Sequence, residues 1–173
     1  SGDDFLYGGT GNDSLYGGLG ADYLEGGTGN DKLQGAGGDD IIIGGAGDDI
    51  LYGNQGDDIL VLGAGFDKAY GGVGADVFSF ESTDTRDCIF DFNAAEDSLN
   101  ITDILQGYDA SDNINDFVKF VKTGNHTELR VDVDGQGGDF VAIAQLKNVN
   151  LTTESVNDHI DNGTLVVDQA AII

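Results

Sequence analysis

Residues 8–16 read GGTGNDSLY, residues 17–25 read GGLGADYLE, residues 26–34 read GGTGNDKLQ and residues 44–52 read GGAGDDILY. These stretches are copies of one pattern, Gly-Gly-x-Gly-x-Asp-x-U-x with U a large aliphatic residue, which runs from Ser1 to Ser79 in one register. The fourth position is always Gly, the sixth is always Asp and the eighth is always apolar. A single copy has too little apolar surface to form a core, so the copies must stack on one another. The run therefore predicts a solenoid.

Each position of the repeat has a predicted role. Gly at fixed offsets supplies the backbone angles of a sharp turn. The three residues after each Asp predict a short strand whose middle residue, the eighth of the repeat, faces inward. If two repeats make one coil, the aspartates form two rows on opposite edges, with Asp4, Asp22, Asp40, Asp58 and Asp76 in one and Asp13, Asp31, Asp49 and Asp67 in the other.

The two rows of aspartates require a partner of opposite charge, because like charges at strand spacing repel one another. Carboxylates and main-chain carbonyls are hard oxygen ligands, which suit Ca²⁺ better than metals that prefer thiolate or imidazole. The first row has four gaps between neighbours and the second has three. We therefore expect about seven Ca²⁺ ions between the turns.

This run of repeats resembles the repeats-in-toxin (RTX) family, whose nonapeptide is associated with Ca²⁺ and a parallel β-helix. The resemblance implies an all-β fold, a parallel β-roll in the form of a right-handed β-helix. It also implies that each ion is held by the carbonyls of positions two and four and the Asp of one turn. The carbonyls of positions one and three and the Asp two repeats later complete the site. One such site would combine Gly9, Gly11 and Asp13 with Gly26, Thr28 and Asp31.

The same assignment extends along the whole run. It gives metal-ligating roles to Asp4, Gly9, Gly11, Asp13, Gly18, Gly20, Asp22, Gly26, Gly27, Thr28, Gly29, Asp31, Gly35, Ala36, Gly37, Gly38, Asp40, Gly44, Gly45, Ala46, Gly47, Asp49, Gly53, Asn54, Gln55, Gly56, Asp58, Leu62, Ala64, Asp67, Gly71, Val73 and Asp76. Ala36 and Asn54 replace the second Gly of the pattern, Leu62 replaces the first, and Ala69 is small for the core row. The sites that use Ala36 or Leu62 depend on whether the turn keeps its shape.

Composition divides the chain into two predicted domains, residues 1–79 and 80–173. The first holds 23 of the 29 glycines. The net charge is −25, from 32 acidic and seven basic residues, which argues against nucleic acid or an anionic membrane as a partner. No transmembrane run is present, and the single cysteine, Cys88, is expected to be a small buried hydrophobe.

The second domain is predicted to be small and mainly antiparallel, with one or two short helices. Its predicted strands and turns are at 87–92, 99–105, 117–122, 128–134, 139–146 and 164–167, with a helix at 152–161. The DCIFDF run at 87–92, the Glu96-Asp97-x-Leu99 turn and the closing NGTLVV at 162–167 resemble the C-terminal region of type I secreted RTX proteins, especially large adhesins. The resemblance implies one further Ca²⁺ at Asp87 and Asp97; the alternative is that both are surface turn residues.

The outward positions of the Asp4-side repeats are apolar, including Ile41, Ile43, Ile59 and Val61. We expect this face to be covered by the C-terminal domain or a partner, although strand propensity alone could explain it. The chain lacks a His-Glu-x-x-His motif and a nucleophile elbow, so it is not expected to be an enzyme.

The function predicted from these features is a calcium-dependent folding and type I secretion module of a secreted bacterial RTX protein, such as a surface adhesin. Its expected partner is the type I secretion machinery, and its expected location is outside the cell or at the cell surface. A ligand-binding or ice-binding solenoid is one alternative, because Thr10 and Thr28 lie 18 residues apart. An accessory tail of a toxin or protease is another.

Overall fold

The chain forms a two-sheet solenoid in a computed structural model that describes residues 1–105, 108, 112–136, 138–149, 151 and 164–167. Successive strands alternate between the sheets, so two repeats make one coil. One sheet has the order β1 (Phe5–Thr10), β3 (Tyr23–Thr28), β5 (Ile41–Ala46), β7 (Ile59–Val61), β9 (Val77–Ser79), β11 (Ser98–Asn100) and β15 (Leu165–Val166). The other has the order β2 (Ser14–Leu19), β4 (Lys32–Gly37), β6 (Ile50–Gln55), β8 (Lys68–Val73), β10 (Asp87–Ile89), β14 (Val141–Leu146), β13 (His126–Val131) and β12 (Val118–Thr123).

The pairing confirms a parallel roll with a period of two repeats. Leu6 pairs with Leu24 and Leu15 with Leu33, each 18 residues apart. The full strands have six residues, whereas the sequence predicted three. They are longer because the Gly-Gly pair continues the ladder, as shown by the pairing of Gly9 with Gly27. The turn therefore occupies only the fourth to sixth positions of the repeat.

The eighth position of each repeat forms the inner core, as predicted. Its residues are fully buried from the second coil onward: Leu24, Leu33, Ile42, Leu51, Leu60, Ala69 and Phe78. Leu6 and Leu15, in the first coil, are only partly buried. From the second coil onward the first-position glycines are also buried, because this position faces inward, and a Cβ at these glycines would lie against the following aspartate.

The three departures from the glycine pattern are accommodated in different ways. Ala36 and Asn54 adopt φ of 95° and 82°, the left-handed region that favours glycine. The Nδ2 atom of Asn54 donates to the Gly53 carbonyl at 2.8 Å, which supports this conformation. Leu62 is fully buried, and the strand that precedes it, β7, ends at Val61 after only three residues. At Leu62 the strand pairing between β5 and β7 has therefore ended, and a buried leucine side chain packs in the core instead.

The region after residue 79 continues both sheets, so the described strands do not form a separate sheet. Strand β10 pairs in parallel with β8, and β11 with β9. Only β12, β13 and β14 pair antiparallel, which makes the prediction of a mainly antiparallel domain only partly correct. Among the described residues, two short 3-10 helices occur, at Thr102–Ile104 and Ile114–Asp116. The helix predicted at 152–161 lies outside the described residues.

The apolar outer face of the β1 sheet is partly exposed. Ile41 and Ile59 have 39% and 36% of their surface accessible. The described strands of the C-terminal region extend the end of the solenoid, and packing of that region on the apolar face stays a prediction. Cys88 is buried, as expected. In the part of the chain that the structure describes, no helix is long and apolar enough to span a bilayer.

Candidate metal centre

Two ladders of aspartates follow the edges of the solenoid, where each six-residue strand begins. In each row one carboxylate oxygen accepts the backbone N–H of the aspartate 18 residues earlier. Asp31 Oδ1 accepts from Asp13 at 2.8 Å, and Asp49 Oδ1 accepts from Asp31 at 2.7 Å. On the other edge Asp40 Oδ1 accepts from Asp22 at 2.7 Å. The predicted rows are therefore present, and hydrogen bonds fix the orientation of each carboxylate.

The second oxygen of each carboxylate has no such partner. Among the described residues, the buried Oδ2 atoms without a hydrogen bond include those of Asp13, Asp22, Asp31, Asp40, Asp49, Asp58, Asp67 and Asp76. Loss of solvent favours the neutral acid, so burial raises the pKa of Asp67 to about 8 and of Asp58 to about 7, against the lowering effect of the backbone hydrogen bonds. A buried, unpaired carboxylate oxygen is costly unless a cation accompanies it.

Main-chain carbonyl oxygens converge on the same places as the orphan carboxylate oxygens. A Cβ built on Gly26 would lie 2.5 Å from Asp31 Oδ2 and 2.6 Å from the Gly44 carbonyl oxygen. The two oxygens belong to successive turns and meet beside a glycine that leaves space between them. They are two of the ligands predicted for the gap between Asp31 and Asp49.

The carbonyls of the second and fourth positions face the next turn. A Cβ on Gly27 or Gly29 would clash with the carbonyl oxygen of Gly9 or Gly11, respectively, in the turn below. The carbonyl of the third position differs, because the Thr28 oxygen already accepts the Gly11 N–H at 2.8 Å. It has one lone pair left for an ion.

The site that depends on Leu62 keeps its carbonyl in place. A Cβ on Gly44 would lie 2.7 Å from Asp49 Oδ2 and 2.9 Å from the Leu62 carbonyl oxygen, close to the arrangement at Gly26. Ala36 likewise keeps the positive φ of the glycine that it replaces. The side-chain changes at these two positions therefore leave a local backbone conformation that fits the predicted sites.

The donor set is entirely oxygen and fits Ca²⁺. Among the residues that the structure describes, no three His, Cys, Asp or Glu side chains come together. An ion between two turns would thus be held by two carboxylates and several carbonyls, a coordination that Ca²⁺ accepts and that thiophilic metals do not favour. The individual ligands stay predictions, while the paired carboxylates and adjacent carbonyls are features of the fold.

A second ladder on the turns was missed by the sequence analysis. The fifth-position side chain accepts the backbone N–H of the residue 18 positions later, in the opposite direction to the aspartate rows. Asn12 Oδ1 accepts from Asn30 at 2.9 Å, and Asp39 Oδ1 accepts from Asp57 at 2.9 Å. The other acceptors are Asp3, Asn30, Asp48 and Asp57. The signal was the recurrence of Asn or Asp before the invariant Asp.

Asp87 and Asp97 continue the two aspartate rows beyond the repeats. Asp87 Oδ1 accepts the Asp67 N–H and Asp97 Oδ1 accepts the Asp76 N–H, each at 3.0 Å. Both are buried, with 4% and 6% of their surface exposed, so they are not surface turn residues. Because they extend different rows, the arrangement does not support one ion shared by both.

Comparison with known proteins places these features in a wider group. A family model described as "RTX calcium-binding nonapeptide repeat (4 copies)" matches residues 1–33, 25–60, 34–69 and 52–82. Among curated proteins, no sequence matches this chain.

Three solved structures are similar over most of the chain. The AlgE6R3 subunit of the Azotobacter vinelandii mannuronan C5-epimerase is 28% identical, with a TM-score of 0.56, covering 87% of this chain and 83% of its own. The AlgE6R2 subunit of that epimerase is 21% identical, with a TM-score of 0.47 and coverages of 94% and 91%. The extracellular lipase LipA of Serratia marcescens is 20% identical, with a TM-score of 0.39 and coverages of 96% and 38%. The first of these shares the solenoid fold.

Proposed function

Because residues 1–82 belong to the RTX calcium-binding nonapeptide repeat family, we propose that this chain is a calcium-dependent folding and type I secretion module of a secreted bacterial protein. The repeats act as a structural calcium-binding element, with no catalytic role assigned to them. In this proposal the chain stays unfolded at the low Ca²⁺ concentration of the cytosol and folds after it has left the cell.

The row of orphan carboxylate oxygens is the observation that carries this proposal. From Asp13 to Asp76, every sixth-position aspartate has one buried oxygen without a hydrogen bond. Each repeat buries only one large apolar side chain, which is too little to offset the ordering of nine residues, several of them glycine. Without cations the solenoid would therefore contain repelling buried charges and a thin core.

Calcium binding supplies the missing stability by mass action. A ligand that binds only the folded state contributes RT ln(1 + [L]/Kd) at each site. Extracellular modules bind Ca²⁺ with Kd of about 10⁻⁴ to 10⁻³ M. Millimolar Ca²⁺ therefore favours the folded roll, whereas a concentration far below Kd contributes almost nothing. This difference acts as a switch between the two sides of the membrane.

The C-terminal region suits a role at the end of such a module. Strands β10 and β11 continue the two sheets, and Asp87 and Asp97 continue the two rows. We propose that this region ends the solenoid and presents the export signal to the type I machinery. Its resemblance to the C-terminal regions of RTX adhesins supports a surface adhesin as the parent protein.

A calcium titration followed by far-UV circular dichroism tests the folding proposal. We expect little strand signal in chelator and a cooperative gain as Ca²⁺ approaches the millimolar range. Mg²⁺ serves as the control ion, because it demands compact octahedral geometry and keeps its waters. Native strand signal in chelator, or equal folding with Mg²⁺, would contradict the proposal.

Export is tested separately in cells that carry a type I transporter. We expect the full chain to appear in the medium only when the transporter is active, and to remain inside when residues 80–173 are deleted. Export without the transporter would refute the secretion role while leaving calcium-dependent folding intact.

A second candidate is a non-catalytic part of a larger enzyme. It is favoured by the similarity to AlgE6R3, which is a subunit of a mannuronan C5-epimerase. In that case the calcium titration would give the same result, but the parent protein would contain a catalytic domain. The ice-binding alternative gains no support, because Thr10 and Thr28 pair as expected but Ala46 follows them in the ladder.

A further inference from the structure

The outer face of the β2 sheet differs from the rest of the molecule in charge. Its outward residues on β2, β4, β6 and β8 are Ser14, Tyr16, Lys32, Gln34, Ile50, Tyr52, Lys68 and Tyr70. Phe90 and Lys147 follow in the same row beyond β8. We name these ten residues the lysine–tyrosine face. None of the chain's 32 acidic residues belongs to it, whereas three of its seven basic residues do.

Three of the four aromatic rings of this face form a continuous stack. The rings of Tyr52 and Tyr70 have centroids 4.8 Å apart and planes 13° from parallel, and those of Tyr70 and Phe90 are 4.7 Å and 8° apart. Lys32 Nζ lies 5.6 Å from the Tyr52 ring, and Lys147 Nζ lies 6.0 Å from the Phe90 ring. Cations thus bracket the stack at both ends, and the packed rings hold their shape without a bound partner.

The stacked rings direct their edges and hydroxyl groups outward. Because the faces of neighbouring rings cover one another, the accessible groups are hydroxyl donors, ring edges and the ammonium groups. Within the described part of the chain, no hydrogen bond to the hydroxyl of Tyr16, Tyr52 or Tyr70 is found. The ion pairs found there involve the amino terminus, Arg86 and Arg130 rather than Lys32 or Lys68. The face therefore presents free tyrosine hydroxyls and the charges of Lys32 and Lys68, while Lys147 Nζ donates to Gln145 Oε1.

We propose that the lysine–tyrosine face binds a linear acidic polysaccharide whose sugars carry carboxylates. Charge complementarity favours an anion, since the outward positions of β2, β4, β6 and β8 carry two lysines and no acid. Asp91, which accepts the Gly71 N–H, borders the face only at its Phe90 end. The donors repeat at the strand spacing of about 4.8 Å. A sugar unit of an extended chain advances by about the same length, so a chain lying across the strands would meet one row of donors per sugar.

The partner is a glycan rather than another polyanion because of the mixture of groups. Lysines match carboxylates, while the tyrosine hydroxyls and the Gln34 amide match sugar hydroxyls. Nucleic acid needs a denser array of cations to neutralise its phosphates than the three lysines of this face supply. The aspartate rows lie on the turns, so the face is available when the roll has folded on Ca²⁺.

Binding of short polygalacturonate oligomers to the full chain in millimolar Ca²⁺ tests this site by calorimetry. The variant K32Q/K68Q removes two exposed cations from the face, and K119Q/K122Q removes the same charge from strand β12. We expect the first variant to bind about 3- to 10-fold more weakly, as for the loss of two exposed ion pairs, and the second to bind like wild type. Unchanged circular dichroism in Ca²⁺ would show that both variants fold.

Two further comparisons define the ligand. Neutral cellohexaose should not bind, and a polyglutamate oligomer of the same charge should bind more weakly than the sugar chain. The change Y52F/Y70F, which keeps the ring stack and removes two hydroxyls, should weaken sugar binding without changing polyglutamate binding. The proposal would be overturned by equal loss in the two lysine variants, by no binding of polygalacturonate to the folded chain, or by equal binding of cellohexaose or polyglutamate.

Discussion

The substitution Asp49→Asn isolates the contribution of one orphan oxygen. Asp49 Oδ1 accepts the Asp31 N–H at 2.7 Å, and an asparagine oxygen can keep that bond. Asp49 Oδ2 is buried without a hydrogen bond, and asparagine replaces it with an NH₂ group that cannot bind a cation. The side chain keeps its size, so the core and the ladder should be undisturbed. In Ca²⁺ the change therefore acts through the ion sites.

The expected loss of stability follows from the two calcium sites to which Asp49 would contribute. One lies between Asp49 and Asp31, and the other between Asp49 and Asp67, its neighbours in the row. With Kd of about 10⁻⁴ M and about 1 mM Ca²⁺, one site contributes roughly 1.4 kcal/mol. Loss of both sites would lower the free energy of unfolding by about 3 kcal/mol. In chelator the sign should reverse, because the variant no longer buries an ionisable carboxyl whose pKa burial raises to about 6.

Urea unfolding at fixed Ca²⁺ and calcium titration by circular dichroism measure these effects. The matched control is Asp48→Asn, at the exposed neighbouring position, where the side chain accepts the Phe66 N–H at 3.0 Å. Asparagine occurs naturally at this position of the repeat, at Asn12 and Asn30, so the control should behave like wild type. Equal calcium midpoints for the two variants would refute the assignment of the inner carboxylates to calcium.

Three other predictions follow from the same geometry. In urea unfolding with Ca²⁺, Gly27→Ala should lower the free energy of unfolding by about 1 to 3 kcal/mol more than Gly9→Ala. Both glycines have positive φ, but only Gly27 lies against a carbonyl of the preceding coil. Equal losses of stability would show that this close approach is unimportant. Ala36→Gly should raise the free energy of unfolding by about 1 kcal/mol in the same assay, since it removes the backbone strain of an alanine at φ of 95°. A loss of stability would contradict this prediction. In chelator, residual strand signal in dichroism should rise as the pH falls from about 8 to about 4, because burial raises the pKa of Asp67 to about 8 and of Asp58 to about 7 while an unfolded aspartate stays near 3.9. The folded chain binds more protons than the unfolded chain in that range. A strand signal that decreases as the pH falls would therefore show that buried, ionised carboxylates are not what destabilises the calcium-free chain.

The period of the solenoid could be predicted from sequence because every repeat carries the same information. Asp, Gly and the inward aliphatic recur at fixed offsets, so the pairing of Leu15 with Leu33 follows once two repeats make a coil. The length of the strands was underestimated, because glycine is a poor strand residue in isolation. Here Gly9 and Gly27 pair as part of a ladder that the rest of the stack imposes.

The region beyond residue 79 was harder to predict because its spacing changes. Asp87 lies 20 residues after Asp67 and Asp97 lies 21 after Asp76, so neither fits the 18-residue period. Strands β10 and β11 were expected to start a separate domain, yet they pair with the roll. The antiparallel strands β12 and β13 overlap the strands predicted at 117–122 and 128–134, because they are neighbours in the sequence with a short turn between them. Local patterns survive a change of spacing, whereas long-range register does not.

The radius of gyration of the chain in Ca²⁺ and in chelator, measured by small-angle X-ray scattering, tests the proposal that cations between neighbouring aspartates hold the solenoid together. For 173 residues a compact fold gives roughly 16 Å and an unfolded chain roughly 44 Å. We expect a value near the compact limit, raised somewhat by the elongated shape, in millimolar Ca²⁺. In chelator we expect a value that approaches the unfolded limit. A compact radius that persists after Ca²⁺ is removed would contradict it.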